Sequence, residues 1–311
     1  MIAVGVSSCL LGEKVRYDGG HKRDSFVADQ LARYFHFHPF CPEVACGMPI
    51  PRDAIRLHGS PETPQVVRVK DHIAVTGLLS TWIERALPDI VSQDLRGFIF
   101  KKNSPSCGLY RMKVYQDKGP PLTSGRGLFA QALVQALPDL PVEEEGRLTD
   151  AVLRENFVEQ VFAYDALKTF MASVPDRGAL VAFHTSQKLL LMAHSPDHYR
   201  RLGVLVAGRE PLKQVLASYP SLFMEGMRKI ATAAKQTNVL MHCMGYFKKE
   251  LQGWEKEELL EVIHRYRCGQ LPLVVPLTLL NHYVRKYDQR YLAGQRYFAP
   301  HPDELMLRNH A

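Results

Sequence analysis

Along the first 140 residues, short apolar runs alternate with stretches of helical spacing, and several runs end in a polar loop. Ile2 to Val6 is a compact β-type run that passes at once into Ser7-Ser8-Cys9. Helical spacing from about Ser25 to Tyr34 predicts a crossover helix, and Phe35 to Phe40 a short aromatic strand ending in Cys41-Pro42-Glu43. Valines alternating with charges from Val66 to Val75 predict a hairpin or edge strand, Gly77 to Leu87 a helix, and Gly97 to Phe100 a buried strand. The chain then turns polar at Lys101, Lys102 and Asn103 and closes on Ser104-Pro105-Ser106-Cys107-Gly108. Pro105 disfavours helix at Ser104, and Gly108 leaves the backbone room beside Cys107. A loop from Gly119 to Arg126 precedes a helix over Gly127 to Leu137. Strands alternating with helices predict an α/β fold with a mainly parallel, doubly wound sheet.

Asp139 to Gly146, rich in proline and glutamate, is expected to be a boundary, giving domains at 1–145 and 146–311. Thr149-Asp150 predicts the cap of a helix running to about Ser173. Further amphipathic helices are expected near His184–Ala193, Ser195–Ala207, Leu212–Thr232, Asn238–Phe247, Lys256–Cys268 and Pro276–Tyr291, with Leu273–Val275 the one β-like run. The second half therefore reads as all-α.

With 46% hydrophobic and 23% charged residues, the composition is that of an ordinary globular protein. No run of 18 uncharged apolar residues predicts a membrane span. MIAVGVSSCLL lacks a basic n-region, so no export signal is expected; six cysteines in such a chain point to thiols in a reducing cytoplasm. Charge changes the picture more. To residue 150 there are 18 Lys+Arg against 17 Asp+Glu; beyond it there are 21 against 15. A basic half beside a neutral one suggests a catalytic domain joined to one that meets a polyanion. In the basic half cations sit beside aromatics: Tyr199-Arg200-Arg201, Tyr246-Phe247-Lys248-Lys249, Arg265-Tyr266-Arg267, and Tyr283-Val284-Arg285-Lys286-Tyr287. Cations neutralise phosphates and aromatic faces stack on bases, although core aromatics beside exterior charges give the same pattern. His184, His194, His198 and His242 form a candidate metal group, for which packing or capping is the plainer account.

Three segments share one grammar: an apolar strand, then a cysteine in a loop rich in Ser, Pro or Gly. They centre on Cys9, Cys41 and Cys107. In a parallel sheet successive strand ends converge on one edge, so three distant thiols can meet. As soft ligands they suit an iron–sulfur cluster or zinc, and the spacing alone does not choose between them. Three ligands rather than four leave a coordination position open, which favours Lewis-acid chemistry at a substrate atom. Cys46 offers a fourth thiol or a packing residue; Cys243 and Cys268 fall in helical patterns and read as packing residues. Glu43 and Ser104 are the nearby groups able to handle protons and water, with burial expected to raise the pKa of Glu43 toward working pH.

Taken together, SSCLLGEKVRYDGGHKRD, CPEVACGMPIPR and NSPSCG strongly resemble the three signature segments of the thiouracil desulfidase family. The resemblance covers the first half and implies a Rossmann-like fold with a three-cysteine 4Fe–4S cluster held by Cys9, Cys41 and Cys107. It further implies Glu43 as the acid/base residue and Ser104 as the pocket serine, with Cys46 an extra thiol. FHTSQKLLLMAHSPDHYRRLG, NVLMHCMGYFKKEL and LPLVVPLTLLNHY are similar to the helical domain of two-domain members that act on 4-thiouridine, as a nucleotide or in tRNA. The resemblance thus implies non-redox hydrolysis of 4-thiouridine to uridine and hydrogen sulfide. Asn103, Lys102 and Arg16 are the expected base or phosphate contacts. Arg200, Arg201, Lys248, Lys249, Arg265, Arg267, Arg285 and Lys286 are the expected RNA contacts. The alternatives are a desulfidase of free nucleotides or thiouracil whose helical domain dimerises, and a noncatalytic zinc- and RNA-binding protein. The residues leave open whether the chain is a monomer or a dimer.

Overall fold

The computed structural model describes residues 1–310. The chain divides into two compact units, Met1–Thr149 and a second from Asp150 onward. The first unit contains the strands β1 (Ile2–Ser7), β2 (Phe35–Phe40), β3 (Ile55–Gly59), β4 (Pro64–Arg68), β5 (Phe98–Phe100), β6 (Met112–Tyr115), β7 (Leu122–Gly125) and β8 (Val142–Glu144). Its helices are α1 (Pro42–Ala45), α2 (Thr76–Ser92) and α3 (Leu128–Ala136).

One sheet has the order β2-β1-β5-β8 and is parallel throughout, with Ile2 to Ser7 registered on Phe35 to Phe40 and Phe98 to Phe100 on Val142 to Glu144. Its inner strands are apolar because both faces are covered: Val4, Val6, Phe98, Ile99 and Phe100 are all fully buried. Phe40, Phe98, Phe100 and Phe129 of α3 pack as one aromatic cluster, with Phe98 and Phe100 stacked at 4.2 Å. A side chain at Gly5 would run into the Phe98 ring at 2.2 Å, so the strand carries none there. The chain steps from β1 to β2 and returns on the other side at β5. The direction of winding therefore reverses between β1 and β5, the place where open α/β sheets form their crevice.

A second, mixed sheet, β4-β3-β6-β7, packs Met48, Leu57, Val66, Leu79, Met112 and Val114 into a separate core. The apolar-polar pattern foresaw β4, but not a sheet of four. β7 occupies the expected loop at Gly119–Arg126, where its residues Leu122, Thr123 and Ser124 are exposed and give no apolar alternation. The expected boundary at Asp139–Gly146 instead holds β8, the edge strand of the parallel sheet. The first crossover, expected as a regular helix, is a wide turn at Phe26–Gln30 narrowing to a 3-10 turn at Leu31–Arg33.

The second unit is all-helical: α4 (Ala151–Ala172), α5 (Arg177–His194), α6 (Pro196–Ala207), α7 (Leu212–Met227), α8 (Ala233–Met244), α9 (Gly253–Arg267), α10 (Val274–Lys286) and α11 (Arg290–Ala293). Asp150, Asp176 and Ser195 cap α4, α5 and α6 by accepting a backbone N–H two or three residues into the helix. α7 stops at Met227 rather than Thr232, and Leu273–Val275 opens α10 instead of forming a strand. α4 is buried nearly all round and carries an ionic cluster. Glu159 accepts from His194 Nε2 at 2.9 Å and Arg308 Nη2 at 2.7 Å, and Glu155 pairs with His310 at 2.6 Å. Burial opposes ionisation of Glu159, yet the Arg308 guanidinium and the hydrogen bond from His194 hold its carboxyl well below the usual carboxylate range. No helix among the described residues is long and apolar enough to cross a membrane.

Candidate functional site

Three of the four parallel strands, β1, β2 and β5, each deliver one piece of a single cavity of about 190 Å³ at the sheet's carboxyl edge. β1 leads into a 3-10 turn, Ser8–Leu11, that carries Cys9 and ends at Gly12 with φ of 99°. β2 ends at Cys41, which precedes the short helix α1 bearing Glu43. β5 leads into the loop of Lys102, Asn103, Ser104 and Cys107. Cys9, Cys41, Cys107, Glu43, Ser104, Asn103, Lys102 and Arg16 all line this cavity.

The Cys107 loop is tight and doubly anchored. The Gly108 N–H meets the Ser104 carbonyl at 2.6 Å, and a side chain at Gly108 would strike Met112 Sδ at 2.1 Å. Carbonyls of Pro105 and Ser106 accept the first free N–H groups of α3, from Leu128, Phe129 and Ala130. On its other side the loop is held by β8. Glu145 accepts the Lys102 N–H at 2.7 Å and pairs with the Lys101 ammonium, while Glu144 accepts the N–H groups of Leu109 at 2.7 Å and Tyr110 at 3.1 Å. These buried carboxylates explain why so acidic a segment is a strand: the loop's inward N–H groups need acceptors.

Glu43 is not a lone buried acid. Arg52 donates to its Oε2 from Nη2 at 2.5 Å and Nε at 3.1 Å, while Oε1 accepts from Ser106 at 2.8 Å and Ser104 at 3.3 Å. The carboxylate is one half of a shielded ion pair. Arg52 and Ser106 escaped the sequence reading. Arg52 does stand in the quoted CPEVACGMPIPR segment, and Ser106 is one residue from Cys107.

Burial pushes the Cys9 thiol up to about 11 despite nearby Lys101, and that of Cys107 up to about 12. It also raises Cys41, against the pull of the Val44 N–H aimed at its sulfur. Thiols so disposed are poor free nucleophiles, and they need a bound positive centre to ionise. Among the described residues no three His, Cys, Asp or Glu side chains converge on one ion position. Three soft donors around one cavity suit a cluster with metal at separate corners. Cys46 lies off this cavity, its thiol on the Glu43 carbonyl at 3.2 Å.

Arg16 reaches the cavity, its buried Nε paired with the Asp18 carboxylate at 3.5 Å. Asn103, at φ of 57°, also borders an open groove lined by Arg111, Arg126 and Arg147. In the helical unit Arg200, Arg201, Lys248, Lys249, Arg265, Arg267, Arg285 and Lys286 are all exposed. Of their aromatic neighbours, Phe247, Tyr266 and Tyr283 are buried, Tyr246 stacks on Tyr291 at 5.0 Å, and Tyr199 and Tyr287 are half-buried. Lys286 pairs with Glu255 at 2.6 Å and Arg201 with Asp197 at 3.6 Å. The four histidines form no metal group. His184 meets Tyr219, His194 meets Glu159, His198 meets Ser195, and His242 packs on Tyr246. Cys243 is buried as expected, but Cys268 is exposed at the end of α9, beside His264.

Residues 4–145 match the family described as 2-thiouracil desulfurase, and residues 188–302 one described as protein of unknown function, DUF1722. The Uncharacterized protein YbgA of Escherichia coli (strain K12) is 35% identical over 153 residues, 48% of this chain and 90% of that relative. A solved 4Fe-4S-dependent thiouracil desulfidase, TudS, is 33% identical and covers 48% of this chain and 94% of its own, with a TM-score of 0.40. With the thiol cavity falling inside the first matched region, the chain belongs to the 2-thiouracil desulfurase family, in a two-part form that joins this domain to a DUF1722 region.

Proposed function

We propose that this protein hydrolyses the carbon–sulfur bond of 4-thiouridine, in tRNA or as a nucleotide, giving uridine and hydrogen sulfide. The observation that carries the reading is the meeting of Cys9, Cys41 and Cys107 with the Glu43–Ser104–Ser106 array in one cavity. The three cysteines would hold a 4Fe–4S cluster, which when bound supplies an electron-accepting iron for the thiocarbonyl sulfur. The chain's own residues do the rest. Glu43 Oε1, held in place by Arg52 on the opposite oxygen, orients a water toward ring carbon 4 and accepts its proton. Ser104, the half-buried hydroxyl of the pair, is placed to touch the base, while Ser106 positions the carboxylate from beneath. The water's oxygen replaces sulfur on the carbon, and sulfur leaves with two protons.

A phosphate on the substrate is supported by exposed Lys102 and by the arginine-lined groove beginning at Asn103. The excess of cations in the helical unit supports an RNA: residues 1–145 would carry the chemistry and residues 146–311 the backbone contacts. With Phe247, Tyr266 and Tyr283 buried, the exposed cations beside them would read phosphates and shape rather than stack on bases. A second reading, free 2-thiouracil with a dimerising helical unit, draws on the matched family's description and the small cavity.

Anaerobic incubation of reconstituted protein with thiolated tRNA, 4-thio-UMP and 2-thiouracil tests both readings. The expected result is loss of the near-ultraviolet thiouridine absorbance with wild type and none with Cys41→Ala or Glu43→Ala. Turnover of 2-thiouracil alone would overturn the 4-thiouridine assignment. Steeply salt-dependent tRNA binding, lost in Lys248→Glu/Lys249→Glu, is expected of the RNA surface; absence of binding removes tRNA as the substrate.

A further inference from the structure

The thiol cavity, about 190 Å³, is the size of a base rather than of a nucleotide, so the sugar and phosphates of a substrate lie outside it. Two grooves of the first unit share lining residues with it. One, sharing Arg52 and Ile55, is walled by Met48, Pro49, Pro51, Val75 and Leu78, and its other cation, Arg68, pairs with Asp71 at 2.6 Å. The second, about 830 Å³, shares Asn103 and is lined by Arg111, Arg126 and Arg147. An anionic chain leaving the thiol cavity is drawn toward the second.

The three cations gather on one stretch, Leu109 to Arg111. Arg126 Nε donates to the Leu109 carbonyl at 3.1 Å, and the Arg147 guanidinium lies 4.7 Å from the centre of the Tyr110 ring. Arg147 Nε also donates to Glu143 at 2.8 Å, so both arginines are held by Nε and keep their Nη groups for a ligand. Arg111 is exposed, and its side chain makes no hydrogen bond or ion pair among the described residues. Its φ of 49°, like the 57° of Asn103, lies in the left-handed region, which an arginine adopts less readily than a glycine. Two carboxylates line the same groove. Glu144 is buried and its Oε1 already accepts the Leu109 and Tyr110 N–H groups, while exposed Glu62 accepts from the Ser60 hydroxyl. What the groove has left to offer a ligand is chiefly donors.

We propose that this groove is a subsite for a phosphodiester of the strand beside the thiolated nucleotide, with Arg111, Arg126 and Arg147 as its donors. A nucleotide inside a strand carries a phosphate on each side of its sugar, whereas a mononucleotide carries one. The cations match that pattern: Lys102 lines the thiol cavity, and the arginines lie beyond Asn103. Arginine forks pair two N–H groups with two phosphate oxygens, and such contacts position a strand without reading its bases. The first unit thus makes backbone contacts of its own, and a nucleotide within a strand gains affinity that a mononucleotide does not. The subsite rests on the 4-thiouridine reading for the base that fills the thiol cavity.

Calorimetric titration of the full-length chain with UMP, UTP and the dinucleotide pUpU reads the subsite without any desulfuration. The dinucleotide should bind about tenfold tighter than UMP, and tighter than UTP, which carries at least as much charge but on one side of its sugar. Arg111→Gln should remove most of that gain and lower the slope of log affinity for pUpU against log salt by about one. Its thermal midpoint should match wild type, since the side chain holds nothing in the fold. Equal affinity for pUpU and UMP, a gain as large with UTP, or a lowered midpoint with Arg111→Gln would overturn the assignment. So would a pUpU affinity that falls with Lys248→Glu/Lys249→Glu and not with Arg111→Gln, which places the strand on the helical unit. Turnover of 4-thio-UMP separates this from the function proposed above. Turnover without the pUpU gain sinks the subsite alone; the gain without turnover of any thiolated nucleotide keeps the subsite and sinks the desulfuration reading.

Discussion

Arg52 places both its Nε and its Nη2 on a single oxygen of Glu43, so the carboxylate's other oxygen is free to face the hydroxyls of the Cys107 loop. An ammonium cannot reproduce this two-point hold. Arg52→Lys is expected to lower kcat for 4-thio-UMP by roughly 10- to 100-fold through misplacement of Glu43. Iron content should stay at the wild-type level, since Arg52 touches no cysteine sulfur. An unchanged kcat would show that the fork is dispensable.

Ser106 lies nearer Glu43 than Ser104 does, 2.8 against 3.3 Å, but it is 1% exposed and out of a substrate's reach. It acts by positioning. Ser106→Ala should lower kcat about tenfold with KM for 4-thio-UMP within about twofold, whereas Ser104→Ala should move both. A KM effect confined to Ser106→Ala would reverse the two roles.

Glu145 and Glu144 together accept three backbone N–H groups from the stretch that carries Cys107. Glu145→Ala leaves the Lys101 ammonium half of a buried pair alone and one N–H unmatched, a loss of roughly 3–5 kcal/mol. Urea denaturation should show it, and reconstituted protein should hold less iron. A midpoint at the wild-type value would mean that β8 is not what sets the loop.

These glutamates also show where the sequence stopped being readable. The strand-then-cysteine grammar at Cys9, Cys41 and Cys107 was legible because apolar runs and turn residues are local signals, and the parallel sheet follows from their order. Glu143-Glu144-Glu145 has poor strand propensity and follows Pro141, so locally it reads as a linker; its reason is the donors of a loop about 40 residues earlier. The Arg52–Glu43 pair was hidden likewise, since nothing in a spacing of nine residues says that a turn folds back. In the helical unit Phe247 and Tyr266 stand beside exposed cations because helix faces alternate. Adjacency in sequence placed them on opposite sides, so neither of these two rings offers a stacking face beside its cations. Arg265, Arg267, Arg285 and Lys286 lie in last turns of α9 and α10, where cations also complement the helix dipole.

The ionic cluster on α4 gives a stability prediction independent of the thiol site. Glu159→Gln leaves the buried Arg308 guanidinium with the Tyr297 carbonyl at 2.6 Å and the more distant Glu155 carboxylate, 3.5 Å from its Nε. About 3–5 kcal/mol should be lost in thermal or urea unfolding. The carboxyl's lowered proton affinity means that its contribution is present above the usual glutamate range and fades as pH falls toward strongly acidic values. A loss below about 1 kcal/mol would show that the pair's attraction barely exceeds its desolvation.

His184 sets an earlier acid limit on the same unit. Burial, with a smaller push from Lys188, lowers its pKa from 6.5 to about 4, and its ring meets the Tyr219 hydroxyl at 3.2 Å. The unfolded chain therefore takes up this proton first as pH falls, and stability is lost between about 6.5 and 4. Above 6.5 neither state is charged at this ring, so the contribution there is intact. The full loss is on the order of 3 kcal/mol. His184→Gln removes the titration but also an interior contact, so it should be less stable than wild type at pH 7.5. By pH 4.5 that deficit should have shrunk or reversed. Urea unfolding of the two proteins at both pH values reads this difference directly, with all other acid-sensitive groups, including His310 and Glu159, cancelling between them. A deficit that stays constant across the range would show that the buried imidazole is not what the acid attacks.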